Sequence, residues 1–316
     1  MRSIRVHRYG GPDELVLEEV PVPLPAQGEV LVAIRAAGVG PWDALVREGT
    51  SGVPQSLPLT PGSDIAGTVE KFGGTAPPDL ELGDAIFGVT NASFTGGYAE
   101  YALASLCSIA PKPASLSFTQ AASVPVVAVT AWQMLFKYAQ ISKGRTVLVT
   151  GAAGNVGAYA VALAHWAGAR VIAVAGERDE EPLRRMGADV VIDYRTPQLE
   201  AHAASVDAAI DTVGGEMQER SFPTLRRGGI LVSSVSPPAP ALAQRCGVRV
   251  AWFIVDVSRS ELERIAQLID DGTLKANVGI VLGLADARKA HEMLAGTIAK
   301  PRGKIVLDVT RSGNPA

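Results

Sequence analysis

The chain has 316 residues, 47% hydrophobic and 19% charged, with a formal net charge of −3. This length exceeds what one hydrophobic core usually serves, so it predicts a globular protein of two domains. A weakly acidic chain without a basic block gives no electrostatic support for nucleic-acid binding. The longest apolar runs are too short to span a bilayer, and Met1 to Pro12 has no apolar leader segment. The default prediction is therefore a cytoplasmic protein without a membrane partner.

Few metal-ligating side chains are available in this sequence. The cysteines are Cys107 and Cys246 alone, which excludes a disulfide framework and any multi-cysteine zinc site. The four histidines are scattered without ligand spacing and are expected at packing or surface positions. The sequence therefore predicts no metal site.

The first 110 residues have the pattern of β-structure. Leu15 to Val20 and Glu29 to Ala36 alternate apolar and polar side chains, and Pro and Gly interrupt the segments between them. A short helix is expected from Asp43 to Arg47, and Thr50 to Pro61 has the composition of an exposed loop. Together these features predict a small β-barrel whose strands are connected by glycine-containing turns.

After Pro113 the pattern changes to alternating helices and strands. Helices are expected at 117–123 and 126–138, followed by short apolar strands at 146–150, 171–175, 190–192, 208–212 and 230–233. Such strands indicate a parallel sheet covered on both faces, with ligands at the carboxyl ends of the strands. The apolar strand at 303–309 is expected to return to the first domain. We predict a substrate domain of residues 1–116 and 257–316, and a cofactor domain of residues 117–256.

A glycine turn follows the first strand of the predicted parallel sheet. Gly151, Gly154 and Gly157 have the spacing G-x-x-G-x-x-G and precede an Ala-rich helix from Ala158 to Ala167. Backbone amides at a helix N-terminus favour an anion, and missing side chains let a diphosphate approach. Since the spacing is not the usual G-x-G-x-x-G, an ordinary glycine-rich turn stays an alternative. The expected contacts are with Gly151, Ala153, Gly154, Asn155, Val156 and Gly157.

A series of fragments in fixed order is more specific than any single motif. The fragments are GVGPWD at 38–43, PGSDIAG at 61–67, GDAIFG at 83–88, GGYAEY at 96–101, TAW at 130–132, GAAGNVG at 151–157, GADVVIDY at 187–194, DTVGG at 211–215 and RGKIVL at 302–307. Together they resemble the zinc-independent quinone oxidoreductases of the medium-chain dehydrogenase/reductase superfamily, the relatives of zeta-crystallin. The resemblance covers nearly the whole chain. It implies an α/β protein with a GroES-like β-barrel substrate domain and a Rossmann doubly wound parallel-sheet domain, binding NADPH and usually forming a homodimer.

The chain departs from the zinc-dependent members of that superfamily. Those relatives would have a cysteine at the position of Gly40 and a His-Glu pair at the positions of Ser63 and Asp64. Without a Lewis acid, a site does not readily stabilise the alkoxide of an alcohol. We therefore expect reduction of a conjugated carbonyl, in which the negative charge spreads onto an enolate oxygen.

The end of the second Rossmann strand predicts the cofactor. Ala175 stands where NAD enzymes have an acidic residue, Gly176 leaves room for a 2′-phosphate, and Arg178 can bind it. By resemblance, Tyr194 contacts the same phosphate. These residues favour NADPH, although Glu177 could instead bind a ribose and Arg178 could be a solvated helix-cap residue.

Further cofactor contacts follow from strand ends and from the resemblance. They are expected at Thr130, Val213, Ser234, Val235, Ile254, Arg302 and Lys304. A core strand or a dimer interface is an equal alternative for Phe253 and Ile254, and a solvated turn for Arg302 and Lys304.

The substrate pocket is expected at Gly40, Pro41, Trp42 and Phe253. Relatives often have an Asn at the position of Gly40 and tyrosines near Leu45 and Ser51, and this chain departs at all three. The catalytic proton donor is therefore unassigned, with Asp43, Ser51 and Ser63 as weak candidates and water as another source. Asp43 is more simply explained as a helix cap.

The leading hypothesis is an NADPH-dependent reductase of quinones or α,β-unsaturated carbonyl compounds that acts without metal. One alternative is an enoyl-thioester reductase of a biosynthetic pathway, which needs a channel for a pantetheine arm. Another is a cofactor-binding regulatory protein without activity, which the missing tyrosines would explain. A small-molecule substrate and a homodimer are the expected partners.

Overall fold

The computed structural model of the protein describes residues 1–197 and 199–311. The strands are β1 Arg2–Arg5, β2 Val16–Glu19, β3 Glu29–Val39, β4 Asp64–Phe72, β5 Ala85–Val89, β6 Tyr101–Ser105, β7 Ile109–Pro111, β8 Thr146–Thr150, β9 Arg170–Ala175, β10 Val190–Asp193, β11 Val206–Asp211, β12 Leu225–Ser233, β13 Arg249–Trp252, β14 Val278–Gly283 and β15 Lys304–Asp308. The α-helices are α1 Pro41–Glu48, α2 Phe118–Ala121, α3 Pro125–Trp132, α4 Asn155–Trp166, α5 Glu180–Arg185, α6 Leu199–His202, α7 Gly215–Ser221, α8 Pro240–Cys246, α9 Arg259–Asp270 and α10 Ala287–Leu294. A π-helical segment, Gln133–Tyr138, continues α3. Among the described residues, no helix has the length and apolar character that crossing a bilayer requires.

The chain divides into two units. Residues Met1–Val126 and the chain from Asp256 onward form the first unit, and Val127–Val255 form the second. The sequence placed the first junction ten residues earlier, after residue 116. In the structure, residues 117–126 lie with the first unit because the Val126 amide donates to Asp64 Oδ1 at 2.9 Å and α2 contacts β3 and β4.

The first unit contains a seven-stranded sheet and a separate antiparallel pair of strands, β1 and β2. The path of the sheet is β14-β15-β3-β4-β5-β7, and β6 also pairs with β3. The long strand β3 is buried along most of its length, since the adjacent residues Val30 and Leu31, which point to opposite faces, are both at most 5% exposed. The closing strand β15 pairs antiparallel to β3, with Ile305 opposite Val39. The C-terminal segment therefore completes the sheet that begins the chain.

The second unit is a six-stranded sheet in which all strands run parallel. The order is β10-β9-β8-β11-β12-β13, and the strand order reverses between β8 and β11. The strands are almost entirely aliphatic because both faces are covered, and Leu148, Ile172 and Leu231 belong to the core beneath the helices. This confirms the predicted doubly wound parallel sheet. In such sheets, ligands bind at the carboxyl ends of the strands beside the point of reversal.

Candidate cofactor and substrate sites

The predicted phosphate-binding turn lies at the carboxyl end of β8. Gly151 directly follows the strand with φ +65°, the Gly154 amide donates to Gly151 O at 2.8 Å, and α4 begins at Asn155. The first amides of a helix have no intrahelical acceptor and point out of its N-terminus. A 12-residue helix adds a dipole that favours an anion at this end.

Glycine is required at two positions of this turn. A Cβ atom on Gly157 would lie 2.2 Å from Gly151 O, so α4 packs directly on the backbone of the turn. A Cβ atom on Gly151 would lie 2.5 Å from Thr212 Oγ1. On Gly154, by contrast, the nearest atom would be 3.1 Å away. The turn therefore fits a diphosphate, since its surface is backbone and its shape depends on missing side chains.

A buried carboxylate, which the sequence analysis did not single out, fixes the neighbouring strand ends. Asp211 ends β11 and is fully buried. Its Oδ1 accepts from the Gly214 amide at 2.9 Å and from Thr150 Oγ1 at 3.1 Å, and its Oδ2 accepts from Ser233 Oγ at 2.8 Å and Gln218 Nε2 at 2.9 Å. Asp211 thus joins the ends of β8, β11 and β12. The motif DTVGG contained the signal, an acid at the end of an apolar strand before two glycines.

The residues predicted to select the cofactor lie where β9 and β10 end. Ala175 is buried and Arg178 is exposed. A Cβ atom added to Gly176 would have only Asp179 Oδ2 and Tyr194 Cε1 within 4 Å. Tyr194 is half exposed beside Gly176. The space that a phosphate would need is therefore open.

Arg195 is a second cation at this position that the sequence analysis missed. Its Nε donates to Asp193 Oδ1 at 2.9 Å, and its Nη2 lies 3.6 Å from Glu177 Oε2. The Arg195 hydrogen bonds lower the pKa of Asp193 to about 2. Glu177 therefore faces a guanidinium, which offsets the negative charge that would repel a 2′-phosphate.

The remaining predicted residues of the second unit occupy different environments. Thr130 is buried in α3. Val213 and Val235, which follow β11 and β12, are half exposed, and Ser234 is partly buried. Phe253 stacks on Tyr138 with ring centroids 4.4 Å apart, and Ile254 is 43% exposed. The strand-end residues thus lie at the carboxyl edge of the sheet, while Phe253 packs against the helical segment at 133–138.

In the first unit, Trp42, one of the predicted pocket residues, lies beside a buried ion pair. Lys304 Nζ lies 2.8 Å from Asp64 Oδ2, and both side chains are at most 2% exposed. The same ammonium lies 4.1 Å from the centroid of the Trp42 indole, whose Nε1 donates to Ser63 Oγ at 3.1 Å. Burial raises the pKa of the Asp64 carboxyl, and the nearby Lys304 opposes that shift.

Trp42 also covers the position of Gly40. A Cβ atom on Gly40 would lie 2.3 Å from Trp42 Cζ2. Gly40 thus gives no metal ligand, Ser63 accepts from the indole, and Asp64 is neutralised by Lys304. Among residues 1–197 and 199–311, no three His, Cys, Asp or Glu side chains are grouped to hold a metal ion. The residues at this position do not fit a zinc ion.

Asp43 makes the contacts of a helix-start residue. Its Oδ2 accepts from the Gly40 amide at 2.8 Å and from the Tyr98 hydroxyl at 2.9 Å. The carboxyl is fully buried, and burial raises its pKa to about 7. Its Oδ1 is buried and has no hydrogen-bond partner among the described residues.

The other candidates in the first unit lie at the surface or in loops. Ser51 follows α1, and its hydroxyl accepts from the Val53 amide at 3.2 Å. Pro41 is the exposed first residue of α1, and Arg302 is exposed in the turn before β15. Lys304 is close to Arg302 in sequence but is buried against Asp64 instead.

Comparisons with known proteins agree with this architecture. Residues 26–114 match the family described as alcohol dehydrogenase GroES-like domain, and residues 186–307 match the family described as zinc-binding dehydrogenase. The chain is 32% identical to the quinone oxidoreductase of Mus musculus over 327 residues, covering 97% of each chain.

Two solved structures share the fold, but one is described with NAD and the other with NADPH. One, described as an NAD-dependent alcohol dehydrogenase, is 28% identical with a TM-score of 0.87, covering 98% of this chain and 100% of that one. The other, a mycobacterial protein complexed with NADPH, is 28% identical with a TM-score of 0.85, covering 97% of this chain and 99% of that one.

A Rossmann sheet with a glycine turn, combined with a GroES-like domain, defines an oxidoreductase that uses a nicotinamide cofactor. The predicted fold is thereby confirmed. The chain belongs to the medium-chain dehydrogenase/reductase superfamily, in which its full-length relatives include quinone oxidoreductases.

Proposed function

We propose that this protein is an NADPH-dependent reductase of quinones or α,β-unsaturated carbonyl compounds that acts without a metal ion. The main observation in support is the set of side chains at the position of the zinc ligands of its relatives. There the Trp42 indole covers Gly40, and the Lys304 ammonium lies against Asp64. A cation and an aromatic ring take the place of a metal-binding donor set.

The proposed substrate class follows from the lack of a metal-binding donor set among these described side chains. A simple ketone or alcohol develops a localised alkoxide, which a Lewis acid would have to stabilise. A quinone or an enone spreads the developing charge over a conjugated system and needs less help from the protein. The name of the mouse relative, quinone oxidoreductase, agrees with this class.

The second unit is proposed to bind the nucleotide through its strand ends. The amides from Gly154 to Gly157 would hold the diphosphate, and Val213, Ser234 and Val235 would line the nicotinamide half. Arg178, Tyr194 and Arg195 would bind the 2′-phosphate through charge-assisted hydrogen bonds. A bound nicotinamide cofactor would supply the hydride, and the protein would chiefly align the two reactants.

Solvent is the proposed source of the proton. Asp43 and Ser63 are both 0% exposed, and their oxygens accept hydrogen bonds from Tyr98 and Trp42. Ser51 lies in a loop, where its hydroxyl caps the backbone. We therefore assign Asp43 and Ser63 to positioning α1 and Trp42 rather than to proton transfer.

A homodimer is proposed through the edge of the parallel sheet. β13 is the last strand of that sheet, and Val250, Trp252 and Ile254 on and beside it are between 36% and 44% exposed. An open strand edge flanked by large apolar side chains favours pairing with another strand. A second copy meeting this edge about a twofold axis would cover the same residues on both chains.

The deciding experiment is a steady-state screen of NADPH oxidation with 1,4-benzoquinones, enones, enoyl-CoA thioesters and primary alcohols. We expect turnover with quinones or enones, unchanged by EDTA, in protein free of zinc by elemental analysis. Preferential turnover of enoyl-CoA would favour the thioester reductase instead. Tight NADPH binding without turnover of any acceptor would favour the regulatory protein, and stoichiometric zinc with alcohol oxidation would overturn the proposal.

A further inference from the structure

A cavity of about 730 Å³ lies within the first unit, apart from the residues proposed to bind the cofactor or substrate. Its walls come from the N-terminal segment with β1, the segment at 20–23, the loop at 54–60, the loop at 91–96 and the segment at 99–103 that includes the start of β6. Gly40, Trp42, Asp43, Ser63 and Lys304 do not line it. The cavity has the size of a small-molecule site, since such pockets usually measure about 300–1,000 Å³.

Backbone hydrogen bonds hold the segments around this cavity together. The Ile4 amide donates to Tyr98 O and the Val6 amide donates to Leu59 O, each at 2.8 Å. The Gly96 amide donates to Thr60 O at 2.7 Å. Because both loops are tied to neighbouring backbone, the cavity is preformed rather than opened by a ligand.

Two cationic groups belong to described residues that line the cavity, the Arg5 guanidinium and the N-terminal ammonium of Met1, which already donates to Val20 O at 2.8 Å. Arg5 Nη2 donates to Pro58 O at 3.2 Å, and its Nη1 lies 3.4 Å from Thr60 Oγ1. Its Nε is buried and has no hydrogen-bond acceptor within residues 1–197 and 199–311. Because this Nε is buried from solvent, a ligand in the cavity would reach the guanidinium at Nη2, whose contact with Pro58 O is exposed and which has a second hydrogen to donate.

The cavity also contains hydroxyl groups. Ser3 Oγ and Thr60 Oγ1 are 2.8 Å apart, so one hydroxyl hydrogen of this pair is not used between them. Tyr101 lines the wall, and its phenol makes no hydrogen bond to any described residue. The lining has no Asp or Glu, so neither an internal counter-ion nor an acidic repulsion opposes an anion.

The rest of the wall is apolar. Val20, Leu59 and four prolines, Pro21, Pro23, Pro54 and Pro58, contribute ring and aliphatic surface. The Arg5 guanidinium matches the planar geometry of a carboxylate. An apolar wall opposite the cation suits a ligand with an apolar body.

We propose that this cavity is a second ligand site, which binds a monocarboxylate with an apolar body through Arg5. The site is independent of the proposed reductase activity. Its carboxylate would accept from Arg5 Nη2 and from the Tyr101 hydroxyl, and its body would lie along the proline-rich wall.

The test is isothermal titration calorimetry with 4-phenylbutyrate, and with 4-phenylbutan-1-ol as the uncharged probe of the same shape. We expect one equivalent of the acid to bind, and the alcohol to bind at least tenfold more weakly. Saturation with NADPH should leave the affinity for the acid unchanged, because the cofactor is proposed to bind the second unit.

Variants identify the residues that bind the acid. Arg5→Gln should weaken binding of the acid at least tenfold while leaving that of the alcohol within twofold, and Arg5→Lys, which keeps the charge but not the planar geometry, should bind the acid with an affinity between those of the wild type and Arg5→Gln. Tyr101→Phe, which removes one hydroxyl, should weaken binding by about threefold. Arg8→Gln is the matched control, since Arg8 is on the same segment but is exposed and paired with Glu14.

Several outcomes would overturn the site. They are no binding of the acid to the wild-type protein, equal affinities in the wild type and Arg5→Gln, and displacement of the acid by NADPH. Thermal melting by circular dichroism verifies that each variant is folded. If Arg5→Gln does not fold, Tyr101→Phe decides, because an unchanged affinity for the acid in that variant would contradict the proposed contacts.

Discussion

The ammonium of Lys304 lies 4.1 Å from the centre of the Trp42 indole ring, in a part of the first unit where neither side chain reaches bulk solvent freely. A cation over the face of an indole is attracted by the negative face of the ring. Asp64 holds the ammonium from its other side at 2.8 Å. The three groups together explain why position 40 is a glycine, since the indole occupies the space beside it.

Removing the Lys304 charge should destabilise the protein strongly. Lys304→Met leaves Asp64 as a buried carboxylate without its counter-ion, and breaking a buried pair in this way costs about 3–5 kcal/mol. The double variant Asp64→Asn with Lys304→Met should recover part of that loss. Urea unfolding measures both effects, and Lys289→Met, at an exposed site on α10, is the control. Equal effects of Lys304→Met and Lys289→Met would contradict the buried pair.

Asp43 should make stability depend on pH. The pKa of its carboxyl is about 7 in the folded protein and about 3.8 otherwise, because burial penalises the charged form. At pH values between these two pKa values, the Asp43 carboxyl binds more protons in the folded state than in the unfolded state. The contribution of this group is therefore fully present below about pH 4 and is lost as the pH rises through about 7. The slope reaches at most about 1.4 kcal/mol per pH unit.

Asp43→Asn tests this expectation because the amide oxygen can still accept from Gly40 and Tyr98 but does not titrate. We expect the difference in unfolding free energy, wild type minus variant, to fall as the pH rises from 5 to 7.5. A difference that is constant over this range would show that Asp43 stays ionised when folded.

The cofactor preference should depend on the cations after β9 and β10. Arg178→Ala and Arg195→Ala should each raise KM for NADPH about tenfold and change KM for NADH little, because only NADPH has the 2′-phosphate. Arg185→Ala is the matched control, since this arginine is exposed and paired with Glu181 on α5. A wild-type preference for NADH that neither variant alters would refute the assignment.

Gly157→Ala should disrupt the glycine turn. The added methyl group would lie 2.2 Å from Gly151 O, so α4 would have to move away from the turn. We expect affinity for NADPH to fall at least a hundredfold, measured by the fluorescence of the bound nucleotide. Gly11→Ala is the control, because a Cβ atom there meets nothing within 4 Å. Nearly unchanged affinity in Gly157→Ala would place the diphosphate elsewhere.

Charge at the sheet edge should separate the proposed dimer. Val250→Lys places one ammonium from each copy near the twofold axis, and like charges at an interface repel. Light scattering coupled to size exclusion should give the mass of a dimer for the wild type and of a monomer for the variant. Leu82→Lys, at an apolar side chain that is 66% exposed elsewhere, should leave the mass unchanged. A monomeric wild type would exclude this interface.

The sequence alone determined the alternation of helices and strands, the parallel sheet, the glycine turn and the family. These features depend on local patterns: apolar strands of fixed length, glycines at fixed spacing, and the start of a helix directly after them. Element ends were less well determined, since the helix expected at 126–138 is divided into α3, Pro125–Trp132, and the π-helical segment Gln133–Tyr138.

Only the tertiary structure decided the environment of the polar groups. Lys304 and Asp64 are 240 positions apart, and Asp211 at the end of β11 accepts hydrogen bonds from Thr150 of β8 and Ser233 of β12. Sequence spacing does not report such contacts, because a charge can be buried only where the fold supplies its partner from a distant segment. For the same reason the sequence did not reveal the cavity at Arg5, since its walls come from five separate segments of the first unit.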